Sequence, residues 1–235
     1  MTPENTAPPT QKIHVVIAHA GVASRRKAED LVAEGKVVVN GEVAQVGQRV
    51  NSVVDAISVE GVTIGSAATL VYYLLNKPVG IVSTTSDELG RPTVLTLVPK
   101  TSERLYPVGR LDIESEGLMI LTNDGDFAYR YTHPKFEIEK TYHVEVAGEP
   151  TERALEHLRR GVRLKEGYTW PADVEALETN GENTWIAITI HQGWNRQVRR
   201  MLERVGYDTV RLIRVRIGEF ELAQLAGKRV IEVKI

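Results

Sequence analysis

The stretch GRLDIESEGLMILTNDGD, residues 109–126, passes from a charged loop into an apolar strand and out to a helix start, and it orders everything around it. It holds five carboxylates (Asp112, Glu114, Glu116, Asp124 and Asp126) against one cation, Arg110. Its centre, Leu118-Met119-Ile120-Leu121, is an apolar run of strand length, the pattern of a buried strand. Three chemistries compete for the carboxylates. Asp112, Glu114, Glu116 and Gly117 echo the first half of an EF-hand loop. Position twelve, however, is Asn123, the apolar run fills positions seven to ten, and Pro107 and Gly109 leave no entering helix. Acids at i, i+2 and i+4 on one strand face would suit a two-metal site, but Ser115 and Gly117 make this segment a loop. Solvated loop surface and a helix start account for four of the five. Asp112 differs: it follows Leu111 at the entrance to the buried strand, two residues after Arg110. A carboxylate held beside a guanidinium there stays ionised and is competent as a nucleophile or base.

Outward from this stretch the chain is strand-rich. An apolar run at 72–75 stops at Lys77-Pro78, because proline restricts the residue before it. Residues 142–146 and 185–190 alternate as half-exposed strands do. Residues 151–160 and 196–205 read as helices closed by Gly161 and Gly206. With no regular βαβ alternation, residues 71–235 are expected to form an α+β domain with a largely antiparallel sheet.

Residues 12–60 read as a smaller α+β module. A short helix spans 13–19, and Ser24 is the expected N-cap of a second helix that begins Arg25-Arg26-Lys27 and stops at Gly35. Val37-Val38-Val39 is a β-branched strand, and Asn40-Gly41 is a two-residue hairpin turn. Residues 1–11 read as a disordered leader and 61–70 as a linker or opening strand. The start lacks signal-peptide architecture and no apolar run reaches membrane-spanning length, so a cytoplasmic location is expected. The absence of cysteine excludes disulfides, thiolate catalysis and cysteine zinc sites.

Net charge is −2, so any affinity for nucleic acid must come from local clusters. Arg25, Arg26 and Lys27 crowd a helix N-terminus against its dipole, which makes sense where an anion such as phosphate shares the site. Residues 196–216 carry seven Arg against Glu203 and Asp208. On a helical wheel Val198, Met201, Leu202 and Val205 form one stripe, with Arg196, Arg200 and Arg204 opposite. Arg199 falls at the stripe's border, a position from which it can point into a cleft. The outward face is expected to track RNA or DNA phosphates.

In series, these motifs resemble a known family. GRLDIESEGLMILTNDGDFAYRYTHP followed by EKTYHVEV is similar to the signature of the RsuA/RluB-type rRNA pseudouridine synthases. NKPVGIVST upstream, and GWNRQVRRMLERVG with LIRVRIGEFEL downstream, match in the same order. QKIHVVIAHAGVASRRKAEDLVAEGKVVVNGEVA resembles the alpha-L RNA-binding domain first described in a small-subunit ribosomal protein. The resemblance implies a small alpha-L domain followed by a pseudouridine synthase domain with a mixed, largely antiparallel sheet. It implies that Asp112 is the nucleophile converting uridine to pseudouridine in folded rRNA, without metal or redox cofactor. It further implies that Tyr142 packs on the target base, Arg199 pairs with Asp112, and Leu212 forms an apolar wall under the base. Arg110 would help hold the base out of the stack, since such chemistry needs it extruded. Ser24, Arg25, Arg26, Lys27, Lys77, Arg196, Arg200 and Arg204 are the expected RNA contacts. Trp194 stands where a smaller or basic residue is usual; stacking on RNA and covering the helix start both suit it. The Asn195-Arg196-Gln197 wording favours the RluB-like, large-subunit branch, acting as a monomer, with small-subunit rRNA as the alternative. Two rivals from other classes remain: a catalytically silent rRNA-binding or ribosome-assembly factor, and a metal-dependent RNA-processing enzyme.

Overall fold

The computed structural model describes residues 10–65 and 68–235. The chain divides into two compact units. One reaches to Leu70 and includes Thr101–Arg104; the other consists of Val71–Lys100 and Leu105–Ile235. The expected disordered leader lies outside the described residues as far as residue 9, as do residues 66 and 67 of the expected linker. Gln11–Lys12, by contrast, is a short strand paired antiparallel with Arg49–Val50.

The N-terminal unit packs helices α1 (Ile13–His19) and α2 (Arg25–Ala33) on a small sheet. Ile13, Val16 and Ile17 on α1 and Ala28, Leu31 and Val32 on α2 repeat the i, i+3, i+4 spacing, and both stripes enter one core. Ser24 caps α2 as expected, its Oγ accepting from the Lys27 backbone N–H at 3.2 Å. Strands β1 (Val37–Val39) and β2 (Glu42–Val43) form the expected hairpin, with Asn40 and Gly41 both at positive φ. Strand β3 (Ile57–Val59) pairs with β1, and β4 (Val62–Thr63) pairs with β3. The small sheet therefore runs past Glu60 into the stretch read as linker. Glu60-Gly61, also both at positive φ, make the same kind of turn as Asn40-Gly41.

The C-terminal unit is built on one mixed sheet. Its main strands are β5 (Tyr72–Lys77), β6 (Glu116–Thr122), β7 (Lys140–Ala147), β8 (Asp173–Thr179), β9 (Asn183–Ile190), β10 (Thr209–Ile217) and β11 (Val230–Val233), with the short Tyr106–Pro107 and Phe220–Glu221 paired onto β6 and β10. The spatial order is β8-β9-β7-β10-β6-β5-β11. Every pair along it is antiparallel except β10 with β6. The apolar runs explain the middle of the sheet. Leu118 and Ile120 point into one core and Met119 and Leu121 into another, and all four are fully buried. Burying each contributes on the order of 2 kcal/mol. Helix α3 (Gly125–Thr132) covers the first face through Phe127 and Tyr131. Helices α4 (Glu152–Arg160) and α5 (Gln197–Arg204) cover the β7–β10 half, with Leu155, Leu158, Val198, Met201 and Leu202 in a third core. Among the described residues no helix is long and apolar enough to cross a membrane.

The single parallel pair joins the two antiparallel halves, and it depends on one glycine. Gly117, at φ +105°, lies opposite Arg214 in the β6–β10 register. A Cβ there would sit 2.3 Å from the Arg214 carbonyl oxygen and 2.7 Å from its nitrogen. Neither the dihedral nor the space admits a side chain. This fixes the loop before β6, which carries Asp112, beside the strand that carries Leu212 and Arg214.

Candidate active site

A pocket of about 320 Å³ opens at this junction. Asp112, Arg110, Tyr142, Arg199 and Leu212, all expected at the site, line it together, joined by Arg196, which was expected as an RNA contact. They arrive from the loop before β6, from β7, from β10 and from the start of α5. The β7–β10 register shifts between Thr141 and Tyr142, where β10 carries the extra residue Val215 and bends beside the pocket. Val144 lies opposite Leu212 and Tyr142 opposite Arg214, so the β7–β10 pair brings three of the lining residues together.

The five carboxylates of the opening stretch have separate fates. Glu114 pairs with Arg196. Glu116 pairs with Arg211 at 2.5 Å. Asp124 caps α3, accepting from the backbone N–H groups of Asp126 and Phe127 at 2.9 and 3.0 Å. Asp126 is exposed in the first turn of that helix, where a negative charge is favoured. Asp112 alone of the five lines the pocket, half-buried and in no ion pair within 4 Å among the described residues. The five groups thus diverge. Among the described residues no three His, Asp or Glu side chains converge as metal ligands would.

Arg199 is buried, as its place at the border of the helical stripe predicts, but its contact differs from the expectation. Its guanidinium donates to the Glu114 carbonyl at 3.3 Å and to Ser115 Oγ at 3.5 Å, and it stands 4.0 Å from the Glu114 carboxylate. It grips the loop that carries Asp112 rather than the Asp112 carboxylate. Burial, and then Arg196, push the guanidinium below its usual pKa, while the charge of Asp112 opposes the shift.

Lys77 requires a correction. Expected as an RNA contact, it is fully buried at the end of β5. Its ammonium donates to the carbonyls of Pro78 at 3.0 Å, Asp112 at 3.1 Å and Ser115 at 2.6 Å. Burial lowers its pKa to about 8 against the pull of Asp112 and Glu116. The signal was available: Lys77 ends an apolar run whose strand is covered on both faces, where a cation must turn its donors inward.

The outward Arg face also needs revision. Helix α5 begins at Gln197, so Arg196 is its N-cap, at φ +50°, rather than part of a helical face. Arg200 makes two bonds to the Glu166 carboxylate, at 2.8 and 3.1 Å. Arg204 is exposed and in no ion pair among the described residues. Helical periodicity cannot anticipate partners 34 and 82 residues away in the chain. Arg25, Arg26 and Lys27 are all exposed on the N-terminal unit.

Two pocket cations were missed. Lys140, two residues before Tyr142, is lowered to about 8 by burial and by Arg214. Arg214, two residues after Leu212, is buried and donates to the Leu118 carbonyl at 2.8 Å. The period-two spacing of strands would have placed both on the faces of residues already chosen. Trp194 lines the pocket, its backbone N–H donating to Gln197 Oε1 at 3.0 Å. Against Arg110, Lys140, Arg196, Arg199 and Arg214, Asp112 is the only acid among the lining residues. The site is built to hold an anionic ligand around one carboxylate.

Comparison with known proteins shows the family. Residues 71–204 match the family model for RNA pseudouridylate synthase, and residues 11–53 match the S4 domain. The chain is 46% identical over 220 residues to the ribosomal large subunit pseudouridine synthase B of Bacillus subtilis, covering 92% of this chain and 88% of that one. It is 44% identical over 224 residues to the protein of the same name from Pseudomonas aeruginosa, covering 92% of this chain and 58% of that longer one. A crystal structure of a pseudouridylate synthase matches with a TM-score of 0.68 at 28% identity, covering 95% of this chain and 96% of that one.

Proposed function

The chain belongs to the RNA pseudouridylate synthase family, with an S4 domain at its N-terminus, and we propose that it isomerises uridine to pseudouridine in large-subunit rRNA, as a monomer. The observation that carries the site assignment is the single acid of the pocket, Asp112, set among five cations. In the reaction the uracil N1–ribose C1′ bond breaks and a C5–C1′ bond forms. C5 loses a proton and N1 gains one, so atoms and electrons balance without a redox partner. Asp112 is the nucleophile. Arg199 and Lys77 hold its loop through backbone carbonyls, so the carboxylate meets an extruded base in a fixed position. Tyr142 and Leu212 offer the base an aromatic face and an apolar wall. Arg110 and Lys140 hold the flanking phosphates. On the N-terminal unit, the exposed triplet Arg25 to Lys27 at the capped start of α2 holds RNA phosphates as well.

The test is incubation with unmodified large- and small-subunit rRNA transcripts or immature subunits, followed by carbodiimide treatment and reverse transcription. We expect a new stop on the large-subunit RNA with the wild type and none with Asp112→Asn. That loss is on the order of 10⁴-fold or more, as for removal of a covalent nucleophile. A stop on the small-subunit RNA alone would reassign the substrate. Binding without any stop would sink the synthase reading, and product from Asp112→Asn would remove Asp112 from its role.

A further inference from the structure

Beside the pocket, the sequence RLKEGYTW at residues 163–170 folds into a hairpin that packs on the third core through Leu164 and turns most of its other side chains to solvent. Arg163–Leu164 pairs with Gly167–Tyr168, and the side chains of Arg163, Lys165, Tyr168 and Trp170 are all exposed. Tyr168 is 67% exposed and Trp170 41%, far more than aromatic rings that pack in a core. The Arg163 guanidinium lies 5.9 Å from the centre of the Tyr168 ring. Neither Arg163 nor Lys165 is in an ion pair among the described residues, and Glu166 is neutralised by Arg200. The surface is therefore cationic and aromatic together.

It is also held rigidly. The Val162 N–H donates to Thr169 Oγ1 at 2.9 Å and the Thr169 N–H to the Val162 carbonyl at 2.9 Å. Gly161, at φ +91°, lets these strands close, since a Cβ there would lie 2.3 Å from the Thr169 carbonyl oxygen. The hairpin is tied to the pocket as well: the Trp170 backbone N–H donates to Oε1 of Gln192, a pocket-lining residue, at 2.9 Å.

We infer that residues 163–170 form a stacking platform for an unpaired nucleotide flanking the target uridine, with Tyr168 and Trp170 meeting bases and Arg163 and Lys165 meeting phosphates. The inference rests on RNA being the substrate. Extruding one base leaves its neighbours unstacked, and aromatic faces beside cations replace the lost stacking without reading sequence.

The test compares wild type with Tyr168→Ala/Trp170→Ala, using an unmodified large-subunit rRNA transcript, by filter binding and by initial rate of pseudouridine formation. The double variant should bind about tenfold more weakly and raise KM in step, with kcat kept, while Tyr168→Phe/Trp170→Phe restores both. A separate Arg163→Gln/Lys165→Gln variant should flatten the dependence of log affinity on log salt by about 1.5. Equal affinity of the alanine variant and wild type, with matching circular dichroism and Tm, overturns the platform. Loss of binding that the phenylalanine pair does not restore overturns it too. If wild type binds the transcript but forms no pseudouridine, the proposed reaction falls, and the binding comparison still decides the platform.

Discussion

Two cationic clusters that look alike in the sequence, Arg25-Arg26-Lys27 and the arginines of residues 196–204, do different work in the structure. The first stands exposed at the capped start of α2, in no ion pair within 4 Å among the described residues. The second is mostly spent inside the protein: Arg196 on Glu114, Arg199 on the loop backbone, Arg200 on Glu166. Cations left free can exchange counterions for phosphates. Cations already bound to carboxylates and carbonyls position a loop instead. A run of Arg thus reports charge without reporting use.

The difference can be broken at several points. The largest effect is expected where the gripped loop is anchored. Gly117→Ala forces a Cβ onto the Arg214 backbone and should cost at least about 3 kcal/mol, read by urea unfolding. A loss under 1 kcal/mol would mean that the β6–β10 junction is not fixed by that contact. Next, Arg199→Ala frees the loop that carries Asp112, and kcat should fall on the order of 10²-fold with RNA affinity nearly unchanged. A pure affinity loss would place Arg199 among the phosphate contacts instead.

The α2 cluster should behave the opposite way. With Arg25, Arg26 and Lys27 all replaced by Gln, affinity should drop by about tenfold at physiological salt and the salt slope should flatten by about 2, with kcat unchanged. A fall in kcat without a change in slope would erase the distinction between the clusters. The smallest effect concerns pH. Lys140, lowered to about 8 by burial and by Arg214, is charged below that pH and neutral above it. KM for RNA should therefore rise by a few-fold, about one phosphate contact, between pH 7 and 9. Lys140→Arg, which stays charged, should remove the rise; an unaltered profile would place the titrating group elsewhere.

Much of the fold was legible because it is local. The stripes of α1 and α2, the Ser24 cap and the Asn40-Gly41 turn each rest on residues within a few positions of one another. The apolar runs at 72–75 and 118–121 announced buried strands for the same reason. The sequence also separated Asp112 from its four acidic neighbours, since a loop entering a buried strand is a different setting from a helix start. It did not anticipate that the sheet's one parallel pair would sit there, because that depends on residues about 95 positions apart.

What the sequence determined by itself, then, is the inventory: two units, the order of their elements, the family, and one aspartate at the mouth of a strand. Tertiary structure decided which cations remain free. Lys77 turned inward because β5 is covered on both faces and a buried ammonium needs acceptors, which the carbonyls of Pro78, Asp112 and Ser115 provide. Arg199 reached the Glu114 carbonyl and Ser115 Oγ rather than the Asp112 carboxylate, partners 85 and 84 positions away that no local pattern announces. Charge is a property of a residue, but the partner that spends it is a property of the fold.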